Sequence, residues 1–263
     1  RMLKQERLSW TTCAGLGVCL GASLLTKSTA MLAVPAVLGA LLWKELQGRW
    51  SIVRDPWFAL GTKGDWRFWG QVGAVLGICG LICGWHYARL WTQYGSPLIG
   101  VWDPRLGFSW WQDDGYRTSA FYLRFGAVLA HPWFSSFKSF GDGIYATLWG
   151  DGLFGGAADA VARPPWNYDL MAVGYWLALV PTLAIVVGGI FLLMGFLRRP
   201  SAEGFLVLGL AFLAALALVH MSVVLPYQCH VKAFYALCAL VPLCAFGACG
   251  FSALCRWSGK LQW

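Results

Sequence analysis

One apolar stretch near the start of the chain limits what this sequence can fold into. From Leu8 to Trp43 the only charged residue is Lys27. As a single α-helix this stretch would be about 54 Å long, whereas the hydrocarbon core of a bilayer is about 30 Å thick. Two shorter helices, over about 8–25 and 29–43, match the bilayer if the chain turns at Thr26-Lys27-Ser28-Thr29. The stretch therefore predicts a membrane hairpin.

The composition of the whole chain supports a membrane protein. Hydrophobic residues make up 58% of the 263 residues, even before the 32 glycines are added, and charged residues make up 12%. A soluble domain has about 25% charged residues, and it needs a largely polar surface. These values exclude a soluble enzyme, a disordered chain and a nucleic-acid-binding module, so we expect no nucleic-acid partner.

Four further apolar segments are long enough to cross a bilayer, at about 69–90, 170–196, 204–225 and 233–254. The predicted fold is therefore all-α: a polytopic membrane protein with about six transmembrane helices. We expect residues 1–263 to form a single transmembrane domain. An even number of crossings places both termini on the same side of the membrane.

The basic residues predict which side that is. The loops on the side of the termini carry 12 Lys and Arg and 5 Asp and Glu, whereas the opposite side carries 8 and 7. The net charges are +7 and +1, and an excess of Lys and Arg marks the cytoplasmic side. Both termini are thus predicted to be cytoplasmic, in a bacterial inner membrane, and the formal charge of +8 is largely a topology signal.

The segment 91–168 is predicted to be extracytoplasmic and interfacial. It contains 16 aromatic residues between Trp102 and Trp166, and tryptophan prefers the headgroup region of a bilayer. The stretch 131–140 has an early proline and aromatic residues, which favour an interfacial helix. The glycine-rich stretch 141–152 is expected to be a tight loop in part.

Lys27 is the first candidate functional residue. A lysine in a turn between two apolar helices lies near the membrane surface. There its ammonium group can bind a lipid phosphate, with help from the neighbouring hydroxyls and from backbone N–H groups at the next helix start. The alternative is a lysine that merely ends a helix and extends its charge to water.

His230 and Lys232 are candidates for the same lipid-phosphate site. They precede the last predicted span, on the same side of the membrane as Lys27. An interfacial anchor before a helix is the alternative interpretation. His86 and His220 lie near the ends of spans, where a capping or hydrogen-bonded histidine is favoured over a ligand of a metal or pigment.

Other chemistry has weaker signals. Seven aspartates lie on the extracytoplasmic side: Asp103, Asp113, Asp114, Asp142, Asp151, Asp159 and Asp169. Any of them could act as a general base, but solvated ion pairs with neighbouring arginines are the commoner role, and no catalytic residue is assigned. The nine cysteines lie mostly in apolar runs and have no zinc-site spacing. We therefore expect no metal site and no cofactor.

Three short segments resemble the GT-C superfamily of polytopic glycosyltransferases, which includes family 39, protein-mannosyltransferase-like and aminoarabinose-transferase-like enzymes. The segment 21–35, with Leu24-Leu25-Thr26-Lys27-Ser28-Thr29 and Pro35, resembles their membrane hairpin. The segment 140–156, with Tyr145-Ala146-Thr147-Leu148-Trp149-Gly150-Asp151-Gly152, resembles an extracytoplasmic loop of bacterial members. Val231-Lys232-Ala233-Phe234-Tyr235 resembles the start of a late helix.

The resemblance implies transfer of a sugar from a polyprenyl-phosphate carrier to an extracytoplasmic acceptor, by inverting single displacement. It implies that Lys27, and also Lys232, face the carrier phosphate. The family's catalytic aspartate lies in the first extracytoplasmic loop, and this chain is expected to begin after that loop. We therefore expect the C-terminal membrane portion of such an enzyme, inactive alone.

A second class of function stays open at this stage. A non-catalytic integral subunit of a respiratory or photosynthetic complex would also be rich in apolar helices. In that case the aromatic segment would bind membrane-protein partners. A transporter is disfavoured because no span carries a buried acid or a charge pair at mid-membrane depth.

Overall fold

The computed structural model describes residues 9–50, 66–98, 118–132, 135, 138–150, 167–224 and 231–260. All regular structure in these ranges is helical, and no strand occurs in them. In chain order the α-helices are α1 (Trp10–Thr26), α2 (Ala33–Trp50), α3 (Trp66–Tyr94), α4 (Ser119–Leu123), α5 (Ala127–Ala130), α6 (Phe140–Trp149), α7 (Tyr168–Leu177), α8 (Leu179–Arg198), α9 (Ala202–Val224) and α10 (Leu240–Lys260). Two 3₁₀ helices, Ser28–Leu32 and Ala233–Ala239, precede α2 and α10.

Five helical segments within the described ranges are long and apolar enough to cross a bilayer. They are Ser28–Gln47, Trp66–Tyr94, Tyr168–Arg198, Ala202–Val223 and Ala233–Arg256. The first predicted span corresponds to α1, which is apolar but has only 17 residues. Large apolar side chains cover the outside of these helices; Leu81, for example, is 82% exposed and Val241 is 70% exposed. This is the architecture of an integral membrane protein.

The helices extend beyond several of the predicted boundaries. The helix α3 runs to Tyr94, four residues into the segment assigned to the extracytoplasmic side. The predicted span 170–196 is two helices, because the chain turns at Ala178 between α7 and α8. The second predicted span begins as a 3₁₀ helix at Ser28 and continues past Trp43 to Trp50.

The chain divides into two compact units. The N-terminal unit comprises Arg1–Trp110 and Gly195–Leu210, and the C-terminal unit comprises Trp111–Met194 and Ala211–Trp263. In the N-terminal unit, α1 packs along α3 around buried residues such as Leu20, because the small residue Gly21 lets the two backbones approach closely.

Three side-chain contacts also join helices and turns of the N-terminal unit. The Tyr87 hydroxyl of α3 donates a hydrogen bond of 2.9 Å to the Leu24 carbonyl near the end of α1, which satisfies one of the carbonyls that a helix end leaves unpaired. Trp43 of α2 stacks on Phe205, with ring centroids 5.4 Å apart. The Gln47 side-chain amide donates to the Pro200 carbonyl.

In the C-terminal unit, α8 and α10 cross at small residues. A Cβ atom added to Gly188 would collide with the backbone carbonyl of Phe246, and one added to Gly250 would collide with that of Ala184. Only glycine fits at these two points, since any side chain would push the helices apart. Small residues four apart are a common way for membrane helices to pack.

The short helices between the long ones differ from the sequence expectation. The helix α6 covers Phe140–Trp149. Most of the glycine-rich stretch 141–152, part of which is predicted to be a loop, is therefore helical. The stretch 131–140 is predicted to be an interfacial helix. Its described residues before Phe140 lie outside any α-helix; they are residues 131, 132, 135, 138 and 139. The reason is the cap: the Ser139 hydroxyl accepts a hydrogen bond of 3.0 Å from the Asp142 N–H, and this fixes the start of the helix at Phe140.

Candidate functional site

Lys27 lies at the turn that the sequence predicts between the first two apolar helices. Its backbone is extended, with φ −156° and ψ 129°, and its N–H donates to the Ser23 carbonyl at 3.1 Å, which ends α1. Its own carbonyl accepts a hydrogen bond of 3.0 Å from Ala30 N–H, which begins the 3₁₀ helix. Lys27 is half-buried, and the turn therefore holds it at the end of a membrane helix.

Lys232 lies at the N-terminal end of the last apolar segment, in the C-terminal unit. It is extended, with φ −132° and ψ 136°, and directly precedes the 3₁₀ helix that leads into α10. Its ammonium nitrogen lies 5.3 Å from the centre of the Phe234 ring, a cation–π distance. His230 lies outside the described residues, so its place in the predicted site stays a prediction.

A hydrogen bond between distant parts of the chain fixes the position of Lys232. The Ala233 N–H donates to the Thr147 hydroxyl oxygen at 2.7 Å, and that hydroxyl donates to the Gly143 carbonyl one turn back in α6, also at 2.7 Å. The residue before Ala233 is therefore held beside the C-terminal half of α6. Nothing in the spacing of Thr147 and Ala233 predicts this bond, because 86 residues separate them in sequence.

An apolar cavity begins at the residues that follow Thr147. It has a volume of about 830 Å³, and its walls come from α6, α8 and α10. Leu148 and Trp149 form the end next to Thr147, and Ala184, Leu243 and Phe251 are among the residues that line the rest. The volume is within the range of about 300–1,000 Å³ found for ligand sites. The lining is predominantly apolar, so this surface matches a ligand that is apolar along its length.

Asp142 is one of the aspartates considered as a general base, and its environment is structural. It is 1% exposed. One carboxylate oxygen accepts hydrogen bonds from the Gly126 N–H at 2.9 Å and the Val128 N–H at 3.2 Å, and the other accepts from the Ser139 hydroxyl at 2.9 Å. These donors occupy both oxygens, so Asp142 joins the start of α5 to the start of α6.

Two tyrosines fasten α6 to α7. The Tyr145 hydroxyl donates to the Tyr175 carbonyl, and the Tyr175 hydroxyl donates to the Ala146 carbonyl at 3.2 Å. Burial raises the pKa of the Tyr145 hydroxyl above its ordinary value. Tyr145 is therefore a hydrogen-bond donor at neutral pH and keeps α6, with Thr147, in a fixed place.

The two histidines considered as ligands have different environments: His86 contacts aromatic rings, and His220 is exposed. His86 is half-buried on α3, between the rings of Trp85 and Tyr87 at 5.8 and 5.3 Å. His220 is exposed on α9. Within the ranges that the structure describes, no group of three or more His, Cys, Asp or Glu side chains could hold a metal ion.

The two lysines of the predicted phosphate site belong to different units of the structure. Lys27 belongs to the N-terminal unit and Lys232 to the C-terminal unit, and their pairing around one phosphate stays a prediction from the sequence. Asp169 is exposed on the first turn of α7. The remaining aspartates of the sequence analysis, Asp103, Asp113, Asp114, Asp151 and Asp159, lie outside the described residues.

In comparisons with known proteins, no family model, curated protein or solved structure matches the chain.

Proposed function

We propose that this chain is the membrane portion of a glycosyltransferase that uses a polyprenyl-phosphate-linked sugar as its donor. The observation that carries the proposal is the Ala233–Thr147 hydrogen bond. It holds the backbone next to Lys232 beside α6, and Leu148 and Trp149 of the same helix line an apolar cavity of about 830 Å³. The carrier has the matching chemistry: a long apolar isoprenoid with a phosphate at its end.

The ammonium group of Lys232 has a definite role in this reaction. When the bond between the sugar C1 and the phosphate oxygen breaks, the leaving polyprenyl phosphate gains negative charge. A nearby cation stabilises that charge. The acceptor hydroxyl forms the new bond to C1 and loses its proton to a base, for which no residue of this chain is assigned.

Lys27 is the second candidate for the same chemistry, on the strength of the resemblance and of its turn. The Thr26 hydroxyl beside it donates to the Ser23 carbonyl at 2.7 Å, so this hydroxyl closes the end of α1. By the resemblance, the ammonium group of Lys27, together with Ser28 and Thr29, is proposed to face a phosphate.

The proposed topology has six crossings, with both termini in the cytoplasm of a bacterial inner membrane. Segment 91–168 would then lie at the extracytoplasmic surface. The support is the charge difference of +7 against +1. In a cysteine-free variant, a single cysteine replacing the exposed Leu123 should react with a membrane-impermeant thiol reagent applied from outside, and one replacing Arg199 should not. The reverse pattern would contradict the topology.

Carrier binding tests the function directly. Purified protein in lipid nanodiscs would be titrated with polyprenyl phosphate and, separately, with the same polyprenol without phosphate. A charge-assisted hydrogen bond contributes roughly 1.5–3 kcal/mol, so Lys232→Ala should weaken phosphate-carrier binding by about 10- to 150-fold, and Lys27→Ala should do the same. The polyprenol should bind the wild type weakly and be insensitive to both substitutions.

Matched variants test whether carrier binding depends on the position of Lys232 or only on the net charge of the protein. Thr147→Val keeps the size of the side chain but removes the acceptor of the Ala233 N–H, so it should weaken carrier binding although it leaves every lysine in place. Thr147→Ser keeps the hydroxyl and should bind as the wild type does. Arg198→Ala, at an exposed basic residue, is the control for net charge. Equal affinity of all variants would refute the proposed site.

A further inference from the structure

A second cavity in the C-terminal unit has the opposite character, because its walls are polar. It has a volume of about 420 Å³. Four residues with polar side chains line it, His131, Lys138, Tyr168 and Asp169, together with small apolar residues such as Ala172. The apolar cavity beside Thr147 shares no residue with it.

Backbone hydrogen bonds make the walls of this cavity well defined. On one side, the His131 N–H donates to the Ala127 carbonyl at 2.8 Å, and the Lys138 N–H donates to the Ser135 carbonyl at 3.1 Å. On the other side, the Asn167 side chain accepts from the Leu170 N–H at 2.9 Å and caps α7.

A third contact connects the two sides. The Trp176 indole N–H donates to the Leu129 carbonyl at 3.1 Å, and this bond ties α7 to the end of α5. The cavity is therefore formed by fixed backbone.

The position of the cavity along the chain indicates its depth in the membrane. It lies at the first turn of the apolar segment Tyr168–Arg198. Ala172 lines the cavity, and Trp176, one turn further along the same side of α7, is 56% exposed. A polar cavity that continues into an exposed apolar helix face lies at the level of lipid headgroups, where polar and apolar surroundings meet.

The charges of the cavity select a type of headgroup. Lys138 is basic and Asp169 is acidic, and among the described residues no ion pair joins them. A ligand with only negative charge would be repelled by Asp169, and one with only positive charge would be repelled by Lys138. A ligand that carries both charges a few ångströms apart meets a partner at each end.

We propose that this cavity binds the headgroup of a zwitterionic phospholipid that has a primary ammonium group. The phosphate lies toward Lys138 and His131, and the ammonium group donates hydrogen bonds toward Asp169. The acyl chains lie along the exposed apolar face of α7. This site does not depend on the proposed carrier site, and it adds a lipid that regulates or anchors the C-terminal unit in the membrane.

Native mass spectrometry of the full chain, released from detergent, tests the proposal with three lipids that share the same acyl chains. Phosphatidylethanolamine should bind most tightly. Phosphatidylcholine should bind about tenfold less tightly, because its trimethylated nitrogen cannot donate a hydrogen bond to a carboxylate, and phosphatidylglycerol should also bind less tightly, because it lacks the ammonium group. Tighter binding of phosphatidylglycerol than of phosphatidylethanolamine would overturn the proposal.

Substitutions at the two charges should act differently. Asp169→Asn should remove the preference for phosphatidylethanolamine over phosphatidylcholine, and Lys138→Gln should weaken the binding of all three lipids by about tenfold. Arg124→Gln, at an exposed basic residue outside the cavity, is the matched control and should change neither property. An unchanged preference in Asp169→Asn would refute the assignment of the ammonium group.

Two further experiments test whether the ligand is a membrane lipid and whether the two cavities bind independently. Soluble O-phosphoethanolamine should displace the lipid only at far higher concentration, because it lacks the acyl chains; displacement at equal concentration would show that the ligand is not a membrane lipid. Lys232→Ala should retain the lipid preference while it loses carrier binding. Loss of both properties in that variant would show that the two cavities are not independent.

Discussion

The buried carboxylate of Asp142 supports the sharpest prediction about stability. Asp142→Ala removes the acceptor for two backbone N–H groups, those of Gly126 and Val128. Val128 is fully buried, so water cannot replace the lost partner of its N–H group. A buried donor without a partner costs about 1–3 kcal/mol.

The expected cost follows from these contacts. Two orphaned N–H groups and the lost bond from the Ser139 hydroxyl together should reduce the local stability of α5 and α6 by roughly 3–5 kcal/mol. Asp142→Asn should cost only about 1 kcal/mol, because its side-chain oxygen still accepts from both N–H groups while the charge is lost.

Hydrogen exchange read by mass spectrometry gives the local measurement. In Asp142→Ala, peptides that contain Gly126 and Val128 should exchange about 150- to 5,000-fold faster than in the wild type, since each 1.4 kcal/mol is a factor of ten, whereas peptides of α1 should not change. Equal exchange in the Ala and Asn variants would refute the reasoning, since it would show that the acceptor oxygen is not what stabilises the two helix starts.

Three further predictions concern packing and pH. Gly188→Ala should destabilise the protein by about 1–3 kcal/mol in a detergent unfolding titration, because the methyl group collides with the Phe246 carbonyl; Gly195→Ala, with open space around it, should be neutral or slightly stabilising. Gly21→Ala should likewise be destabilising, since its Cβ would lie 2.8 Å from the Cβ of Ile82, whereas Gly15→Ala meets nothing within 4 Å. Burial raises the pKa of Tyr145, so its contribution to stability is present below about pH 10 and is lost as the pH rises through the higher folded value. Tyr145→Phe should therefore flatten the loss of stability above pH 10, measured by unfolding at a series of alkaline pH values, and a slope equal to that of the wild type would contradict this.

The long helices could be predicted from the sequence because their signal is simple. Apolar runs of about 20 residues must be helical in a bilayer, since no water is present to pair with the backbone. The turn at Lys27 was predictable for the same reason, because Lys27 is the only charged residue in an apolar run too long for one helix. The break at Ala178 was not predictable, because the residues on either side of it are equally apolar.

The short helices and the polar contacts were harder to predict. The pattern Ser139-x-x-Asp142 is a helix-start signal of the capping-box type, and it marks the start of α6 in spite of the glycines that follow it. The hydrogen bonds from Gly126 and Val128 to Asp142, and from Ala233 to Thr147, join residues with no periodic relation in sequence. Such contacts depend on tertiary packing, and only the fold brings them together.

The two kinds of hydrogen bond in the C-terminal unit set an order for its biosynthesis. The bonds to Asp142 come from residues 14 and 16 positions earlier, so α5 and α6 can join as soon as that short segment has left the ribosome. The bond from Ala233 to Thr147 needs a residue made 86 positions later. Lys232 therefore reaches its place beside α6 only after the chain has been made as far as Ala233, well after α5 and α6 are able to join.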